Sequence, residues 1–140
     1  MGGSVSRIIN PDGAGKERTR LVKSIVLALR ELMRQTEPNE LSRDLAAYIA
    51  LALLEINETI ESSVGAWEKK GYWVKADRFR MDWAWAERLG KQMRLAVLQD
   101  DWASVAMVSA QVGGKISNVD VPVRNRLGTP WMGAWQHLHQ

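Results

Sequence analysis

Glu55, Glu58 and Glu61 stand three residues apart, a spacing that on a helix brings neighbouring carboxylates close enough to share a divalent cation. They are the metal candidates of this chain. A carboxylate di-iron bundle, however, needs Glu-x-x-His pairs on facing helices, and the only histidines, His137 and His139, lie at the far end of the sequence. Those two read as a solvated tail, and the three glutamates as a solvated or cation-paired acidic face. No cofactor is expected.

Other catalytic patterns fail on inspection. All-α nucleotide pyrophosphohydrolases pair a Glu-x-x-Glu helix with a later Glu-x-x-Asp helix, whereas the later acids here, Asp77 and Asp82, are five apart. Gly13-Ala14-Gly15-Lys16 is no phosphate loop, because Asn10 stands where its first glycine belongs and Glu17 follows the lysine. No histidine in the body of the chain can serve a serine nucleophile as base. The absence of cysteine removes disulfides, thiolate metal sites and cysteine nucleophiles. No catalytic residue is nominated.

Cations offer a different chemistry. Lys16, Arg18, Arg20 and Lys23 cluster in one segment, Lys69, Lys70, Lys75, Arg78 and Arg80 in a second, and Arg88, Lys91 and Arg94 in a third. Such groups neutralise phosphates, and the interleaved Trp73 can stack on an unpaired base. A nucleic-acid-binding accessory protein using Arg18, Arg20, Lys75, Arg78, Arg88 and Lys91 is therefore the alternative reading, with a nucleic acid or an acidic protein as partner. Against it, Asp77, Asp82 and Glu87 interrupt the same stretch, and no recognised nucleic-acid motif appears.

Charge is sorted along the chain although the net value is only +3. Residues 1–36 hold seven basic and three acidic side chains, residues 37–68 one and seven, residues 69–98 eight and three, and residues 99–140 three of each. An acidic helix between two basic ones, with the signs complementing each other, accounts for this order.

Helical periodicity must position all of these groups. Turn residues up to Gly15 predict an irregular N-terminal arm over 1–15. Val22, Ile25, Val26, Leu29, Leu32 and Met33 then trace a first helix from about Lys16 to Gln35. Pro38 and Asn39 break it. A second helix, Leu41 to Lys70, carries Leu45, Ile49, Ala52, Ile56, Ile60, Ser63 and Trp67 on one face and Ala47, Leu51 and Leu54 on another, so one neighbouring layer cannot cover it. In the third, Tyr72, Ala76, Phe79, Trp83, Ala86, Gly90, Met93 and Val97 alternate four- and three-residue steps, a bundle seam in which Ala86 and Gly90 imply a close helix approach. A fourth follows Asp100 or Asp101, with Trp102, Val105, Ala106, Ser109, Val112 and Ile116 facing inward. After Asn118 the pattern stops, and Pro130, Trp131 and Trp135 permit one short final helix.

The expected fold is therefore all-α: an antiparallel four-helix bundle in a single domain, 1–140, with a core at 16–118 and an extended C-terminal arm at 119–140 ending in a short helix. Its longest apolar run, Leu45 to Leu54, is ten residues, short of the roughly 18 that span a bilayer. Without the apolar core of a signal peptide at the N-terminus, a cytoplasmic protein with no membrane partner is expected. In architecture alone, four such helices with the first and third basic resemble the small accessory bundles that assist reverse transcriptases of diversity-generating retroelements; no diagnostic motif carries that likeness, and it assigns no family.

Met81 and Trp85 lie four apart on the third helix, away from its seam, with Leu95 on the same side. Together with Leu51 and Leu54 they exceed what one four-helix unit can bury, so self-association is expected. The leading reading is a non-enzymatic, self-associating bundle, a homo-oligomer that acts as a protein interaction or assembly module. The other way to cover the surplus is for the C-terminal arm to fold back over it, anchored by Trp131 and Trp135.

Overall fold

A computed structural model describes residues 11–139 of the chain, with side chains from Gly13 onward; the first ten residues of the expected N-terminal arm lie outside the described residues. All regular structure among them is helical: α1 (Pro11–Met33), α2 (Glu40–Lys69), α3 (Trp73–Leu98), α4 (Trp102–Lys115) and α5 (Ala134–Leu138).

The first helix begins five residues before the expected Lys16. Pro11 opens it because the first turn leaves its N–H groups unpaired in any case, so a residue without one loses nothing there. Gly13 and Gly15 disfavour a helix by roughly 1 kcal/mol each relative to alanine. Tertiary packing overrides that preference: Ala14 between them is fully buried.

Local chemistry fixes the other boundaries. Asn39 caps α2 by accepting from the Ser42 amide at 2.8 Å and the Ser42 hydroxyl at 3.0 Å. At its far end Gly71, at φ +82°, takes the left-handed conformation. There Gly71 N–H donates to Glu68 C=O and Tyr72 N–H to Trp67 C=O, the paired bonds that satisfy a helix's last carbonyls. The end of α3 repeats this arrangement with Asp100 at φ +56°, a conformation usually left to glycine, and Trp102 Nε1 donates to its carboxylate at 2.8 Å. Asp101 then caps α4 through the Ser104 amide and hydroxyl.

Cross-helix pairs set the direction of packing. Arg18 reaches Thr59 while Ser24 meets Tyr48, so α1 and α2 run antiparallel. Arg80 pairs with Glu61, Asn57 with Glu87 and Arg43 with Asp100, so α2 and α3 do the same. The central helix is α2, in contact with α1, α3 and α5; α4 leans on α3 and only lightly on α1. One apolar cluster joins all of them, from Leu21 and Ile25 through Ile49, Leu53 and Ile56 to Leu89, Met93 and Leu138.

The approach of α3 to α2 is close where the seam carries its small residues. A Cβ added to Gly90 would lie 3.0 Å from Leu54 Cδ2 and 3.1 Å from Leu53 Cβ, tighter than carbon atoms tolerate without displacement.

Beyond α4 the chain crosses α1, where Arg30 donates to Val121 C=O at 3.0 Å. It then returns to α2. Residues 130–133 form a turn rather than the start of the final helix, and Gly133 at φ +81° precedes Ala134. Asp44 of α2 accepts from the Gly133 and Trp135 amides, Trp131 and Leu138 are buried, and Arg43 lies over the Trp135 ring. The C-terminal segment thus covers part of the second apolar side of α2.

Candidate interaction surfaces

With α2 flanked on three sides, the residues expected to drive self-association separate into two groups. Leu54 is partly buried over the Gly90 position, and Leu51 is partly buried against the core. Trp85 is only 9% exposed, its ring stacked on Trp83 at 5.6 Å between centroids. One turn from Met81, it stands at the edge between the seam and the outer face, and its indole turns inward. Met81 at 77% and Leu95 at 56% do face solvent.

These two belong to a longer line. Val74, Met81, Arg88 and Leu95 recur every seven residues on α3, a period that keeps them on one side of the helix over roughly 31 Å at ~1.5 Å per residue. Val74 is 74% exposed. Small, exposed Ala84 lies midway. Met107 of α4, also exposed, shares a shallow hollow with Leu95 and widens the apolar surface on one side.

The six cations expected to hold nucleic acid are not gathered on one face. Arg18 is partly buried, donating to Thr59 Oγ1 at 3.2 Å with its guanidinium 4.9 Å from the Phe79 centroid and 5.8 Å from that of Trp83. Burial lowers its pKa, and its work is to fasten α1 to α3 through cation–π contact. Arg20 is held by Glu17 at 2.6 Å, and that hydrogen bond raises its pKa. Lys91 pairs with Glu87 at 3.6 Å. Arg88 joins the line of Met81, while Lys75 and Arg78 stand together near the start of α3, with Lys75 Nζ 4.4 Å above the Trp67 ring.

The metal candidates are likewise divided. Glu61 is bound by Arg80, which also reaches Glu68 and Asp77, at 3.2, 3.6 and 3.9 Å respectively. Glu58 is exposed, and Glu55 has interactions of its own. Among the described residues no three His, Cys, Asp or Glu side chains are grouped to hold a metal ion. His139 sits edge-on against Trp135, with centroids 4.1 Å apart.

Two further surfaces stand out, the first without a counterpart in the sequence analysis and the second a cationic cluster already marked there by Lys69, Lys70, Lys75 and Trp73. The first is a groove of about 450 Å3 between the end of α1 and α4, lined by Leu32, Met33, Trp102, Ala106, Ala110 and Gly113. Its signal was the small residues of α4 at helical spacing. The second is the tip of the α2–α3 hairpin, where Tyr72, Trp73 and Val74 are exposed beside Lys69, Lys70 and Lys75. The glycine stop after two lysines marked it. No family model matches this chain, nor does any curated protein or solved structure.

Proposed function

We propose that this chain is a non-enzymatic assembly module of the cytoplasm, a single-domain antiparallel four-helix bundle that self-associates through the outer face of α3. The observation that carries this reading is the line Val74, Met81, Arg88, Leu95, with three exposed apolar side chains at heptad spacing.

A second copy of the same helix, antiparallel about a two-fold axis beside Ala84, complements that line. Val74 then stands opposite Leu95 and Met81 opposite Arg88, while Asp77 falls one residue from Lys91, within reach of its long side chain. Asp77 and Lys91 are largely exposed on this chain, and among the described residues each has only a long solvent-facing ion pair, of 3.9 or 3.6 Å, to give up. Small Ala84 at the axis lets the backbones approach. A two-fold contact of this kind is self-complementary and closes on itself.

The test is the light-scattering mass of the protein and of Met81→Glu/Leu95→Glu. Each substitution acts twice across the axis, and burying one such side chain is worth roughly 1.5–3 kcal/mol. The dissociation constant should rise by about 100-fold or more, with the helical circular dichroism unchanged. A wild-type monomer at high concentration, or an unaltered variant mass, overturns the proposal.

A further inference from the structure

The chain has seven tryptophans. Six of them, Trp67, Trp83, Trp85, Trp102, Trp131 and Trp135, belong to the core or pack against it. Trp73 does not: it is 58% exposed at the hairpin tip, next to Tyr72 at 53%. A side chain that is rarely left in water is held there by a stiff turn, because the left-handed Gly71 and the two amide–carbonyl bonds at the end of α2 fix where α3 begins.

The charge around these rings is positive and poorly compensated. Lys69, Lys70 and Arg78 are exposed, and among the described residues none of them has an ion pair. The nearest acids in sequence, Glu68 and Asp77, are both engaged by Arg80. The surface also has a track. A shallow hollow along Gly71–Lys75 continues, through Val74 and Lys75, into a second one walled by Trp67, Arg78 and Phe79, with Asp82 at its margin.

We propose that this tip binds single-stranded nucleic acid, with bases stacked on Trp73 and Tyr72 and phosphates neutralised by Lys69, Lys70, Lys75 and Arg78. Rings and cations line the two hollows together, Tyr72 and Trp73 with Lys75 in the first and Trp67 and Phe79 with Lys75 and Arg78 in the second, and stacking rings beside a cationic groove are how sequence-tolerant single-strand sites are built. A duplex hides its base faces and leaves Trp73 nothing to stack on. The tip meets the self-association line at Val74, which walls both hollows, whereas Trp73, Tyr72, Lys69 and Lys70 stand outside that line.

The experiment is fluorescence anisotropy of a labelled 15-nucleotide oligo-dT and of the matching duplex, titrated with the full chain from 50 to 300 mM salt. The single strand should bind more tightly than the duplex, and its affinity should fall steeply with salt. Trp73→Ala should weaken it by roughly tenfold, Trp73→Phe should restore most of the loss, and Lys69→Ala/Lys70→Ala should reduce both affinity and salt slope. Equal affinity for the duplex, or indifference to both the tryptophan and the lysine variants, overturns the proposal. So does flotation with vesicles of anionic phospholipid that depends on Trp73 while the oligonucleotide goes unbound. Light scattering of Trp73→Ala, unchanged from wild type, separates the result from any failure of assembly.

Discussion

The carboxylate of Asp44, in the second turn of α2, accepts the backbone N–H of Trp135 at 2.9 Å, across 91 residues of sequence. The same carboxylate takes the Gly133 amide at 3.1 Å. A five-residue helix is too short to stand in water by itself, so the side chain of one helix serves as the cap of another.

Asp44→Ala should therefore cost about 0.5–2 kcal/mol, the usual range for a lost helix cap. Asp44→Asn, which keeps an acceptor oxygen, should cost less. Urea unfolding of the three proteins measures this, and an Asp44→Ala variant as stable as wild type would show that α5 is held by its apolar contacts alone.

Gly90→Ala tests the approach of α3 to α2. The added methyl meets Leu53 Cβ and Leu54 Cδ2 at 3.1 and 3.0 Å, and overpacking of this kind typically costs about 1–3 kcal/mol. Combining it with Leu54→Ala should recover only part of the loss, since Leu53 Cβ is fixed to its backbone and cannot turn away. Full additivity of the two changes in thermal melts would contradict this account.

The Asp101 carboxyl is held below the usual carboxylate range, first by the hydroxyl of Ser104 and then by its amide. A group with a depressed folded pKa contributes stability that is present above its unfolded value, near ~3.9, and disappears as pH falls through the folded one. Asp101→Asn should thus lower the unfolding midpoint at pH 7 and make a smaller difference at pH 2.5. An equal penalty at both pH values would assign the effect to geometry instead of charge.

Among the described residues Ser109 Oγ, buried beside the groove between α1 and α4, has no hydrogen-bond partner. Removing an unsatisfied hydroxyl relieves its desolvation, so Ser109→Ala should be neutral or stabilising by up to about 1 kcal/mol. A loss above that size would mean that the hydroxyl is satisfied in solution.

Legibility in the sequence followed the range of the interaction concerned. Asn39 and Gly71 act on their own turns, and the second helix runs Glu40–Lys69 where Leu41 to Lys70 was expected. Most of the third-helix seam was equally readable: Ala76, Ala86, Gly90, Met93 and Val97 are buried and Phe79 and Trp83 pack against the core, but Tyr72 precedes the helix and is exposed, because the turn at Gly71 carries it off the seam. Trp85 was placed outside because periodicity reports the face a helix turns to its main neighbour, not how far a large side chain swings toward it. Arg18 read as a free cation since its partners, Phe79 and Trp83, are more than 60 residues away. For the surplus on α2 the sequence left two covers open. The C-terminal segment takes part of that role, through contacts that only the folded chain brings together.

That arrangement also orders events during synthesis. The pairings of α1 with α2 and of α2 with α3 join sequence neighbours and can form as soon as each helix leaves the ribosome. The strap over α2 cannot. Until residues 131–138 have emerged, part of the flank of the central helix stays open to water and to other nascent chains.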